Sequence, residues 1–241
     1  MRIIRVKNYD DMSRQGANIV ASLITLKPNC VLGLATGSSP EGLYRELVER
    51  YQRGDINFCQ VKSVNLDEYV GLSADSEQSY RYFMHHHFFK YINMKPENIH
   101  IPCGKNEDAE QECRRYDELL QSLGGIDLQL LGLGMNGHIG FNEPDEIFTT
   151  GTHKVKLTES TILANRRFFA KEEDVPRFAY TMGIRDIVHA RRVVMLVSGE
   201  TKADIVRQAF FGPVTPHVPA SILQFHQNFT LVADEAALSE I

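Results

Sequence analysis

Apolar runs of strand length alternate with amphipathic segments of helix length along most of the chain, and this alternation limits the fold more than any other feature. Residues 3–6 read as a short strand, followed by a helix over 10–26 that Pro28 stops. Residues 30–34 are continuously apolar, as in a strand covered on both faces, and a polar turn leads into a helix over 40–53. Further strands fall at 61–66, 99–101, 126–131, 153–157, 192–197 and 229–233, with helices at 79–92, 108–123, 158–168 and 202–211. Such alternation predicts an α/β fold, a mostly parallel sheet with helices on both faces. No repeat, low-complexity tract or linker interrupts residues 1–241, so one domain is expected.

Composition excludes several classes of partner. A net charge of -5 offers no general attraction to nucleic acid or to an anionic membrane. No apolar run approaches the roughly 18 residues needed to span a bilayer. The apolar stretch at 1–6 is too short for a signal peptide, so a cytoplasmic protein is expected. Cys30, Cys59, Cys103 and Cys113 lack both zinc-ligand and C-x-x-C spacing and read as reduced thiols.

The chemistry gathers where strands end. Residues 132–144, GLGMNGHIGFNEP, carry four glycines in nine residues together with His138 and Glu143, directly after an apolar strand. Glycine lets backbone approach a ligand closely, and open α/β sheets bind ligands beyond the carboxyl ends of their strands. Gly132, Gly134 and Gly137 also spell the dinucleotide fingerprint G-x-G-x-x-G, which requires a helix opening at its third glycine. Gly140 and Pro144 argue against that helix, and dinucleotide binding is not expected.

Residues 35–40, ATGSSP, lead from strand to helix, and their amides, hydroxyls and helix dipole favour an anion. Ser39 reads equally as an ordinary N-cap. Lys202 begins a helix after Ser198-Gly199, where a cation opposes the dipole unless an anion offsets it. A single phosphate accounts for Lys202, one arginine of the Arg166–Arg167 pair and the 36–39 turn together. Asp67 and Glu68 follow the third strand; paired acids there are often solvated turn residues, but Asp67 is the better placed to face the crevice. A carboxylate suits proton removal from carbon, and an imidazole held by a carboxylate shuttles protons between oxygens. His85, His86 and His87 are consecutive, point in different directions around a helix and read as helix-face residues, with no metal expected.

Taken in order, residues 34–40, 65–69, 132–144 and 198–203 resemble the glucosamine-6-phosphate deaminase family, and the run GHIGFNEP is its most specific part. The resemblance implies a modified Rossmann-like three-layer αβα sandwich of the sugar-phosphate isomerase and CoA-transferase type. It implies conversion of glucosamine 6-phosphate and water to fructose 6-phosphate and ammonia, with no cofactor and a small sugar phosphate as partner. Carried over, Asp67 matches the base that moves a proton between C2 and C1. His138 matches the ring-opening residue, helped by Glu143 and Asn136, and Thr36, Gly37, Ser38, Ser39, Arg167 and Lys202 match the phosphate cradle. Two positions depart from the usual pattern: Asn136 stands where many relatives have aspartate, and Asp145 follows Pro144 where glycine is usual.

Longer hexameric relatives bind an allosteric N-acetylated sugar phosphate through an arginine, a lysine and a C-terminal extension. The matching positions are His153 and Val155, and residue 241 follows the last strand closely, so loss of that activation is expected. Oligomeric state stays open between a monomer and a homo-oligomer, with the monomer favoured. Competing readings are a 6-phosphogluconolactonase-like hydrolase, more distantly a ribose 5-phosphate isomerase, and a non-catalytic sugar-phosphate-sensing domain of a transcription regulator.

Overall fold

The computed structural model describes residues 1–106, 108–159, 162, 163, 166, 169 and 175–241. Seven strands form one sheet: β1 (Arg2–Val6), β2 (Val31–Leu34), β3 (Lys62–Asn65), β5 (Ile99–His100), β6 (Leu128–Leu131), β9 (Val193–Val197) and β10 (Phe229–Asp234). Their order is β1-β10-β9-β6-β2-β3-β5, and every neighbouring pair runs parallel. A second sheet pairs β4 (Asp67–Tyr69), β8 (Phe178–Thr181) and β7 (His153–Lys156) antiparallel, in the order β4-β8-β7.

Alternate residues of β9 divide the core. Val193, Met195 and Val197 face one apolar layer, whereas Val194 and Leu196 face the other, as the two-residue strand period requires. Helices α1 (Tyr9–Leu26), α2 (Ser38–Gln52) and α3 (Tyr80–His87) supply the second layer; α4 (Ala109–Ser122), α5 (Ile184–Val188) and α6 (Ala203–Phe211) supply the first. The result is the three-layer αβα sandwich expected. A third, smaller apolar cluster around Tyr69, Phe141 and Ala179 backs the antiparallel sheet. Among the described residues no helix is long and apolar enough to cross a membrane.

Helix starts explain where the chain leaves polar groups free. Asn8, Ser79 and Asp108 cap α1, α3 and α4 by accepting the amides of Asp11, Tyr82 and Gln111. Helix α2 has no such cap among the described residues: Gly37 occupies the position at φ 92 and brings no side chain to its first-turn amides. Ser39 is thus a residue inside the helix and not its N-cap. The helix expected over 79–92 is shorter, ending at His87 and followed by a 3-10 turn at Phe89–Tyr91. The strand at β8 and the brief strand at β4 were not expected from sequence; the helix expected over 158–168 lies largely outside the described residues.

Candidate active site

A cavity of about 880 Å³ opens at the carboxyl ends of four adjacent strands, β9, β6, β2 and β3. Successive strands are laid outward from β2 through β3 to β5, and then from β6 through β9 to β10 on the other side. The boundary between β2 and β6 is therefore a topological switch point, where the loops on either strand diverge and leave a crevice. Thr36, Gly37, Ser38 and Ser39 line one wall, and Gly132, Gly134, Asn136, His138 and Gly140 line the other. Asp67 forms part of the floor, and Lys202 enters from beyond β9.

The glycine-rich loop does not open a helix after Gly137, as sequence reading anticipated; it folds back through a bridge between Ile139 and Asn142. Gly134 is required by close approach: a Cβ there would lie 2.4 Å from the His138 ring. The imidazole Nδ1 lies 2.7 Å from Asn136 Oδ1 and 3.5 Å from Glu143 Oε2. Asn136 Nδ2 donates to the same Glu143 oxygen at 2.8 Å. A carboxylate only accepts, so the amide turns its nitrogen to Glu143 and its oxygen to the ring. Nδ1 must then carry the proton, which leaves the Nε2 lone pair as the basic site. Glu143 thus acts on His138 chiefly through Asn136, more indirectly than the spacing alone implied.

Asp67 and Glu68 are both buried but differ in compensation. Glu68 accepts the backbone amides of Tyr69, Tyr80 and Arg81, which pins the start of α3 to β4. No hydrogen-bond donor reaches the Asp67 carboxylate among the described residues. Burial, and secondarily the Glu68 charge, hold the Asp67 carboxyl well above the usual carboxylate range.

Lys202 closes a short 3-10 turn after Gly199, and its Nζ donates to Leu133 O at 2.6 Å. Burial lowers its pKa. It stands in the same cavity as Thr36, Gly37, Ser38 and Ser39 at the start of α2. Arg167, the remaining member of the expected cradle, lies outside the described residues. Sequence reading missed the aromatic wall of the cavity, where Tyr69, Tyr80, Phe141 and Phe169 meet, with the Tyr80 and Phe141 rings stacked 5.8 Å apart. The signal for Tyr80 was its place just after the Ser79 cap, which fixes its backbone. His86 and His87 stack on Tyr82 and Phe83, consistent with helix-face residues.

A buried carboxyl, an imidazole and a lysine gathered in one cavity at the switch point of a Rossmann-like sheet mark an enzyme that acts on a small molecule. The chain belongs to the family described as glucosamine-6-phosphate isomerases/6-phosphogluconolactonase, whose model matches residues 7–232. It is 54% identical over 241 residues to a glucosamine-6-phosphate deaminase of Thermoanaerobacter sp. (strain X514), covering 100% of this chain and 95% of the relative. It is 55% identical over 232 residues to one of Lachnoclostridium phytofermentans, covering 96% and 98%. A solved structure described as a monomeric glucosamine-6-phosphate deaminase superimposes with a TM-score of 0.97 at 45% identity over 100% of both chains. The 6-phosphogluconolactonase of Leishmania guyanensis shares the fold alone, with a TM-score of 0.75 at 20% identity, over 98% of this chain and 97% of that one.

Proposed function

We propose that this chain isomerises and deaminates D-glucosamine 6-phosphate, with water, to D-fructose 6-phosphate and ammonia. The observation that carries the reading is Asp67, a buried carboxyl without a donor partner among the described residues, in the same cavity as an imidazole whose tautomer is fixed by Asn136. The anion cradle of α2 and Lys202 holds the phosphate. His138 takes the proton of the C1 hydroxyl and returns one to the ring oxygen, which opens the pyranose. Asp67 removes the C2 proton as the C1 carbonyl oxygen takes one from solvent, forming an enolamine, and then delivers its proton to C1 while the amino nitrogen releases one to solvent. The resulting C2 imine adds water and expels ammonia. Each step moves only protons and water, so the reading needs no cofactor.

Lactone hydrolysis needs water activation but no base over a sugar C2, so Asp67 favours the deaminase reading over the lactonase one. One domain over 1–241, acting in the cytoplasm as a monomer, fits this reading. The full-length likeness to a monomeric deaminase supports the oligomeric state. Ammonia release from glucosamine 6-phosphate and from galactosamine 6-phosphate, measured beside hydrolysis of 6-phosphogluconolactone, tests it. Lactone turnover without ammonia release would overturn the proposal, and light scattering tests the monomer.

A further inference from the structure

Thr181 and Asn142 are buried polar residues that do not line the cavity, yet both tie its parts together. Thr181 ends β8 directly across from Asp67 in the antiparallel pair. Its Oγ1 accepts the Phe141 amide at 3.0 Å. Asn142 Nδ2 donates to Ile139 O and to Met182 O, both at 2.9 Å. The Met182 amide in turn donates to Leu66 O at 2.7 Å, one residue before Asp67. These bonds join the glycine-rich loop, β8 and β4 into one unit, with Gly140 at its centre. A Cβ at Gly140 would stand 3.0 Å from Thr181 Oγ1, 3.4 Å from Asp67 Oδ2 and 3.6 Å from Asn142 Nδ2.

We infer that Thr181 is a positioning residue for the reaction: its hydroxyl holds the Gly140–Phe141 backbone against Asp67 and so keeps the C2 base and the ring-opening imidazole in one frame. This rests on the roles given above to Asp67 and His138. The two groups come from different strand ends and meet one substrate, so their relative placement decides whether both can reach it. A misplacement on the order of 1 Å can cost roughly a hundredfold in rate. The Gly140 backbone also lines the cavity beside Asp67. Among the described residues, the Glu68 charge on its own strand raises Asp67, and Asp67 in turn holds the phenols of Tyr80 from α3 and Tyr116 from α4 in their neutral form.

The test compares Thr181→Val, which keeps the shape and removes the acceptor, with Thr181→Ser, which keeps the hydroxyl. Thr181→Val should lower kcat about ten- to a hundredfold while KM stays within about twofold, and Thr181→Ser should restore most of the rate. The acid limb of the kcat/KM profile should fall toward the ordinary carboxylate range in Thr181→Val, because a displaced Gly140–Phe141 backbone leaves Asp67 less buried. A merely structural threonine would change melting temperature and leave that limb in place. An unchanged kcat and acid limb in Thr181→Val, or a Thr181→Ser variant as slow as Thr181→Val, overturns the inference. If Thr181→Val does not fold, Asn142→Ala cuts the second tether and is scored by the same two readouts. Asp67→Asn run alongside separates the levels: full activity there overturns the reading of the site itself, whereas an inactive Asp67→Asn with a silent Thr181→Val overturns only the role of Thr181.

Discussion

Two buried aspartates stand at opposite ends of the same parallel sheet, and their surroundings differ in kind. Asp127, just before β6 at the amino end, accepts from Lys27 Nζ at 2.8 Å, Arg191 Nη1 at 3.2 Å and the Val31 amide at 2.8 Å. Asp67, just beyond β3 at the carboxyl end, is buried to a similar degree, 6% exposed against 4%, yet no donor meets it among the described residues. Burial alone therefore does not tell the two apart. Compensation does: the chain satisfies the charge of Asp127 where it staples strands together, and at Asp67, on the cavity floor, no donor is found among the described residues.

The comparison breaks first at Asp67. Asp67→Asn should lose ~10²–10⁴-fold in kcat with substrate binding largely kept, as expected for removal of a positioned base. Its stability should hold or rise at neutral pH. A folded carboxyl with a raised pKa contributes stability that is intact below the unfolded value and is lost as pH rises through the folded one, and asparagine removes that loss. Ammonia release and thermal melting across pH 4–8 read both effects, and an active or markedly weakened Asp67→Asn would erase the contrast.

Lys202→Ala should act on binding next. Loss of one charge-assisted hydrogen bond is worth roughly 1.5–3 kcal/mol, or about ten- to a hundredfold in KM. Inhibition by a phosphorylated product analogue should weaken in parallel, and an unchanged KM would remove Lys202 from the cradle.

At the other end, Asp127→Asn should leave kcat untouched and lower stability by about 1–2 kcal/mol, measured by denaturant unfolding. The figure is modest because the Lys27 and Arg191 side chains are 44% and 58% exposed and stay hydrated without their partner. A fall in kcat at constant stability would mean that the two ends are not separate in function.

The smallest expected effect is none. His153 and Val155 share one face of β7; the His153 ring bonds to Gly151 O at 2.9 Å, and Val155 packs against the third apolar cluster. A valine and a histidine do not replace two permanent cations. The rate should rise hyperbolically with glucosamine 6-phosphate, and N-acetylglucosamine 6-phosphate should not activate. A sigmoidal curve made hyperbolic by that compound would reveal a regulatory site built from other residues.

Legibility from sequence followed the range of the interactions. The parallel strands and most helix spans were readable because apolar runs and caps such as Asn8 and Asp108 act locally. The antiparallel sheet was not. Asp67-Glu68-Tyr69 looks like a polar turn, and β8 is four residues long, so each becomes a strand only by pairing with a partner far away in the chain. The same reason hid Thr181 and Asn142, whose purpose lies in contacts across 40 residues. The motif residues His138 and Glu143 were visible, but the interposed amide of Asn136 needed coordinates, because two residues of spacing do not say which atom faces which.

Strand β1 lies at one edge of the sheet and pairs only with β10, Arg2 opposite Thr230 and Val6 opposite Asp234. Because β10 lies far later in the chain than β1, the ribosome delivers β2, β3 and β6 before the partner of β1. Closing so long a loop costs entropy that grows only slowly with its length, but the closure cannot begin early. The β1–β10 edge is thus the one farthest in strand order from β3 and β5, and the crevice between β2 and β6 can assemble before it.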